Sequence, residues 1–109
     1  IFSLMKFEFS PFVAVEVNDY ERACEYYEKV LGMQMIKKHP VESHLKSGDM
    51  NFFVSCTEKK EIFFEFKVDD AGEAKKLLEQ NGCKVTNVYS EKSFLVSDPF
   101  GLKYHIFQE

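Results

Sequence analysis

Tryptophan is absent, and cysteine occurs only at positions 24, 56 and 83, an odd number with no C-x-x-C spacing. Neither a disulfide framework nor a zinc knuckle fits that pattern, and the expectation is three buried free thiols. Apolar runs stay far short of the ~20 residues that cross a bilayer as a helix. No basic segment leads into an apolar, small-residue cleavage pattern, so the expectation is a cytoplasmic chain without a membrane partner. Fourteen Lys and Arg against 18 Asp and Glu give a net charge of −4, with no basic cluster, which argues against a nucleic-acid partner. Ser-His-Asp order, Walker loop, G-x-G-x-x-G and H-E-x-x-H are all missing, so no catalytic residue is assigned from motifs.

What the sequence does contain is a repeat. Phe12 to Gly32, FVAVEVNDYERACEYYEKVLG, is echoed by Phe63 to Gly82, FFEFKVDDAGEAKKLLEQNG. Phe12 and Phe63, Val17 and Val68, Asp19 and Asp70, and Ala23 and Ala74 are each 51 positions apart, as are Tyr27 and Leu78. A constant offset through two element types indicates a duplicated module. Alternation of Val13, Val15 and Val17 with their neighbours, and of Phe64, Phe66 and Val68 with theirs, predicts a strand at the head of each copy. Asn18 with Glu21 and Asp70 with Glu73 have capping-box spacing, predicting that helices begin there. Ala23, Tyr26, Tyr27, Val30 and Leu31 form one helical stripe, and Ala74, Leu77 and Leu78 another, so each helix is expected to pack on its own sheet. Gly32 and Gly82 follow as left-handed C-caps.

Further strands are expected over Met33 to Lys38, Val41 to Lys46 and Asn51 to Ser55, then Ile62 to Val68, Lys84 to Tyr89, Ser93 to Val96 and Lys103 to Phe107. Asp98-Pro99-Phe100-Gly101 is the turn before the last, its acid read as structural. The predicted fold class is α+β: two βαβββ modules in a single domain over 5–109, with module one at 5–57, a charged linker at 58–61 and module two at 62–109. Ile1 to Leu4 take no part in the repeat. A chain of this size has little room for an enclosed site, so a homodimer sharing its site is the natural expectation.

The signatures V-x-V-N-D-Y-E-R-A-x-x-Y-Y-E-x-V-L-G, from Val15 to Gly32, and D-P-F-G, from Asp98 to Gly101, resemble the vicinal oxygen chelate superfamily. That superfamily includes glyoxalase I, extradiol dioxygenases, fosfomycin-resistance enzymes and bleomycin-resistance binding proteins. The resemblance implies modules curled into a half-open, barrel-like cleft, and dimerisation in small members. It also implies a divalent metal held by His, Gln or Glu from the first and last strands of each module. The matching positions here are Phe12, Phe53, Phe63 and His105. A benzene ring has no lone pair to offer a metal, so the expectation is no metal and no cofactor.

His105 should share the cleft face with Lys103 and Phe107, as a ligand contact or as a histidine satisfied by a neighbouring carboxylate. His39 and His44 read as loop or edge polarity. Glu16 and Glu65 read as equivalent cleft-facing acids, either solvated or paired with Lys67 or Lys103, or acting as a base or counter-charge. Twelve phenylalanines suit an apolar small-molecule site. The expected ligand-binding set is therefore Phe12, Glu16, Phe53, Phe63, Glu65, His105 and Phe107. The expected function is metal-independent binding of a cationic or aromatic small molecule. Alternatives are a metal-dependent lyase, dioxygenase or thiol transferase of the superfamily, a metal-free acid-base enzyme, and a degenerate module that only contacts another protein.

Overall fold

The computed structural model describes residues 5–109; residues 1–4, which the repeat leaves out, lie outside the described residues. The elements are β1 (Glu8–Val17), α1 (Tyr20–Lys29), β2 (Gln34–Lys38), β3 (Glu42–Ser47), β4 (Met50–Cys56), β5 (Glu61–Lys67), α2 (Ala71–Gln80), β6 (Lys84–Ser90), β7 (Ser93–Ser97) and β8 (Lys103–Phe107). The fold is α+β, with βαβββ order occurring twice. Expected and observed boundaries agree within two residues, except that β1 starts at Glu8 instead of Phe12. Pro11 disguises that start, because a proline lacks a ladder N–H; here its carbonyl accepts from Asn51 Nδ2 at 3.3 Å.

The chain forms two compact units. The first is Pro11–Phe63, and the second joins the described residues up to Ser10 to Phe64–Glu109. In the first, the strand order is β2-β3-β4-β1 with β1 parallel to β4; in the second it is β5-β8-β7-β6 with β5 parallel to β8. Both units carry an irregularity in the same place: pairing skips Ile36 between β2 and β3, and Thr86 between β6 and β7.

The first core gathers Tyr20, Cys24, Leu45 and Val54, with Tyr27, Met33, Met35 and Phe52 packed around them. The buried stripe of α1 is therefore Tyr20, Cys24 and Tyr27, whereas Tyr26, Val30 and Leu31 are half or more exposed. The expected stripe is rotated because Tyr20 anchors the helix, its hydroxyl donating to the His39 carbonyl at 2.6 Å and meeting Ser43 Oγ. The expected Asn18–Glu21 cap is also replaced. Asp19 is the N-cap, its side chain caps no backbone N–H, and its carboxylate lies 3.6 Å from Arg22.

The second core gathers Val68, Ala71, Ala74, Phe94, Val96 and Ile106, with Met5, Phe7, Phe66 and Leu78 against it. Asp70 caps α2 as expected, accepting from Glu73 N at 3.0 Å. Gly82 closes the helix at φ +93°, a conformation that favours glycine, and a Cβ there would crowd Pro99 at 3.1 Å. The three thiols are free, but only Cys24 is buried; Cys83 is half-buried, and Cys56 is exposed at the end of β4, where the sheet stops covering side chains.

Candidate functional site

Period-two alternation gives each sheet one face toward its helix and one away from it. In the first unit, β1, β4 and β3 align the outward face into rows. Phe12 stands opposite Asn51 and Asn51 opposite Lys46; Ala14, Phe53 and His44 form the next row; Glu16, Ser55 and Glu42 form the third. Phe12 and Phe53 are 5.9 Å apart between ring centroids, tilted by 46°. His44 is stacked on Phe53, and its Nε2 is 2.8 Å from Asn51 Oδ1. Ser55 Oγ donates to Glu42 Oε2 at 3.2 Å. An aromatic row thus lies one residue pair, about 7 Å, from an acidic one.

His44 was expected to be loop or edge polarity. It sits instead on an inner strand, held by a ring and an amide. Glu16 also borders an open groove of about 660 Å³ on the helix side, lined by Asp19, Arg22, Tyr26, Tyr27 and Ile62 among others.

In the second unit the outward face carries Glu65 and His105, directly opposite each other on β5 and β8. Glu65 Oε1 lies 2.9 Å from His105 Nδ1, and Ser93 Oγ lies 2.5 Å from His105 Nε2. The acid is held in turn through its backbone, since Ser10 Oγ donates to the Glu65 carbonyl at 2.6 Å. Tyr89 stands edge-on to the imidazole at 5.6 Å, and the Phe107 ring is 6.1 Å away.

Glu65 therefore takes a histidine partner rather than Lys67, whose ammonium is 3.6 Å from Glu109. Nor are Glu16 and Glu65 equivalent: the offset of 51 sets Glu65 against Ala14 and Glu16 against Lys67. The register does make Phe53 and His105 counterparts, since Phe53 faces Ala14 as His105 faces Glu65. Phe63, which closes the first unit, is buried. The structure brings together Phe12 with Phe53, and Glu65 with His105 and Phe107. Ser93 is the member that motif reading missed. Its link to His105 crosses an antiparallel hairpin, and only the pairing register could have revealed it.

On the helix side of the second unit, Asp98 behaves as a turn residue. Oδ1 accepts from Phe100 N at 2.9 Å and from Leu102 N at 3.0 Å, and Oδ2 accepts from the Tyr104 hydroxyl at 3.2 Å. Burial, with the neighbouring Cys83 and Asp98, drives the Tyr104 hydroxyl well above its ordinary pKa.

The sequence profile described as Glyoxalase/Bleomycin resistance protein/Dioxygenase superfamily matches residues 11–106. The chain belongs to that superfamily. Solved structures similar in fold include homoprotocatechuate 2,3-dioxygenase from Brevibacterium fuscum, in complex with 3,4-dihydroxyphenylacetate. Its TM-score is 0.75 at 18% identity over 96% of this chain and 37% of that one. The Arthrobacter globiformis enzyme gives 0.72 at 20% identity over 95% and 37%. The chain thus spans about a third of the length of these dioxygenases, and at such identity the likeness is one of fold. Among curated proteins no sequence relative matches.

The metal common in superfamily enzymes does not fit the donors present. Phe12, Phe53 and Phe63 supply none, and both His105 nitrogens are engaged by Glu65 and Ser93. Among the described residues no group of three or more His, Cys, Asp or Glu side chains is placed to hold a metal ion. Also among the described residues, no helix is long and apolar enough to cross a membrane.

Proposed function

We propose that this chain is a small-molecule-binding member of the superfamily that works without a metal. Its preferred ligand is a flat aromatic compound, cationic in charge, bound on the outward sheet face of the first unit. The observation that carries the reading is the Phe12, Phe53 and His44 aromatic group with the Glu16, Ser55 and Glu42 row beside it. Rings supply stacking surface, and a cation over a ring face gains ~0.5–2 kcal/mol depending on desolvation. Carboxylates at the edge of the rings add attraction for positive charge and repel anions. Glu65 has no part in this face: it belongs to the second unit, where its carboxylate is committed to His105.

Calorimetry with a cationic aromatic compound, a neutral isostere and an anionic one tests the proposal, first on the wild type and then on Glu16→Gln and Phe53→Ala. The cation should bind tightest, Glu16→Gln should narrow the gap, and Phe53→Ala should weaken all three. Equal affinities, or a gap unchanged by Glu16→Gln, would refute the charge preference. Elemental analysis of untagged protein should find no stoichiometric zinc, nickel, iron or manganese, and the melting temperature should not respond to chelators.

The same proposal includes pairing with a second copy of the chain, which would cover apolar side chains such as Val30, Leu31, Ile36 and Val41 that a lone chain leaves exposed. Sedimentation at ~10–50 μM, a range suited to stable homodimers, should give twice the chain mass. A monomer there removes the dimer from the proposal.

A further inference from the structure

We infer that Ser93, His105 and Glu65 form a metal-free nucleophile relay that can take an acyl group from a small aryl or alkyl ester. The inference does not rest on ligand binding in the first unit, because all three residues belong to the second.

The hydrogen-bond chain fixes the roles. An ionised carboxylate only accepts, so Glu65 Oε1 accepts the hydrogen bond that His105 Nδ1–H donates. In the neutral imidazole that leaves Nε2 as the lone-pair nitrogen, and Ser93 Oγ donates to it at 2.5 Å. The hydroxyl proton is therefore aimed at a base, with the remaining oxygen lone pairs available to an electrophile. This is the relation of nucleophile, base and orienting acid by which such triads are recognised on unrelated folds. Side-chain exposure is only 12% at Glu65 and 23% at His105, so water competes weakly for the pair and the imidazole is held in one orientation. Tyr89 and Phe107 flank the ring and give an acyl or aryl group apolar surface to lie on.

In the reaction, Ser93 Oγ bonds to the ester carbonyl carbon while its proton passes to His105 Nε2. The carbon to leaving-oxygen bond then breaks, and the departing alcohol takes that proton. Water repeats the sequence on the acyl-serine, releasing the acid and restoring the hydroxyl. Ser93 and His105 touch the reacting atoms, whereas Glu65 is a positioning residue.

An alkyl fluorophosphonate is the probe: Ser93 Oγ bonds to phosphorus, the P–F bond breaks, fluoride leaves and His105 takes the proton. Intact mass and peptide mapping of the full chain should show one adduct per chain, at Ser93, formed much faster than any adduct at exposed Ser90. The adduct should be lost in Ser93→Ala. His105→Gln should slow it by about 100-fold or more, the low end of what a positioned base contributes. Glu65→Gln should slow it comparably and change its pH profile, because an amide favours the wrong tautomer, and Glu65→Asp should restore part of the rate. No adduct at Ser93, an adduct no faster than at Ser90, or a rate indifferent to His105→Gln overturns the inference. Mapping on the wild type decides the first two outcomes even if a variant fails to fold.

Discussion

The imidazole of His44 lies nearly parallel to the ring of Phe53, with 4.6 Å between centroids and 20° between planes. Asn51 Oδ1 fixes the edge of the same imidazole, so the outward face of the first unit presents two rings already ordered before any ligand arrives. Phe53→Ala should cost ~1–2 kcal/mol of stability by urea denaturation, less than the 3–5 of a fully buried ring because Phe53 is only half-covered. Phe53→Leu should restore most of the stability but little of the aromatic ligand affinity. Equal recovery of both would show that ring stacking is not what the face offers.

The turn at Asp98 should be sensitive in a different way. Two backbone N–H groups and the Tyr104 hydroxyl converge on one carboxylate. Asp98→Ala should destabilise by ~1–3 kcal/mol, the usual cost of leaving such partners unmade. Asp98→Asn, which keeps one acceptor oxygen, should lose less. Melting curves that rank the two variants the other way would refute this account of the turn.

Leu45 and Ile106 are fully buried, one in each core. Leu45→Ala and Ile106→Ala should each cost ~2–5 kcal/mol, and Ile106→Val only ~0.5–1.5, since one methylene leaves a smaller void. Chemical denaturation checks the ranking. Near-neutral effects at either position would place the cores elsewhere.

Alkaline pH should destabilise the chain through its buried and half-buried phenols and one thiol. Burial raises the pKa of Tyr20, Tyr27 and Tyr104, and of the Cys83 thiol. Their folded values lie above the unfolded ones, about 10 for tyrosine and about 8.5 for cysteine. The stability gained by keeping them neutral is complete below the unfolded values and is lost as pH rises through the folded values. Urea midpoints should therefore hold between pH 7 and 8 and fall above about pH 9. Tyr104→Phe should flatten the fall; a slope unchanged by that substitution contradicts the assignment.

Thiol titration should separate the cysteines by position. Cys56 is exposed and should react at once, Cys83 slowly, and Cys24, almost inaccessible on the buried face of α1, only on unfolding. Rapid labelling of Cys24 in the native protein, located by peptide mapping, would mean that α1 does not stay seated.

Most of the fold was legible in the sequence because its signals are local. Period-two valines and phenylalanines marked the strands, Asp70 and Glu73 the start of α2, and Gly82 its end. Where those cues were ambiguous the reading slipped: Pro11 concealed the first part of β1, and the stripe on α1 was misplaced because nothing local shows that Tyr20 reaches the His39 carbonyl. The candidate sites were less legible for the same reason. Glu65 and His105 are 40 residues apart and meet through parallel pairing of β5 with β8, while Ser93 meets His105 through the hairpin register of β7 and β8. Side-chain type at a position can be read off the chain, but which side chains face one another depends on register.

The duplicated segments begin at Phe12 and Phe63, yet the second compact unit also owns Met5, Phe7 and Ser10. The inherited period and the physical unit are therefore out of phase. Cleavage within 58–60 would yield a trailing fragment missing two side chains of its own core and a leading fragment carrying them unburied. The leading fragment keeps the whole of the first core, from Tyr20 to Val54, whereas the trailing fragment would be expected to regain structure by complementation rather than singly.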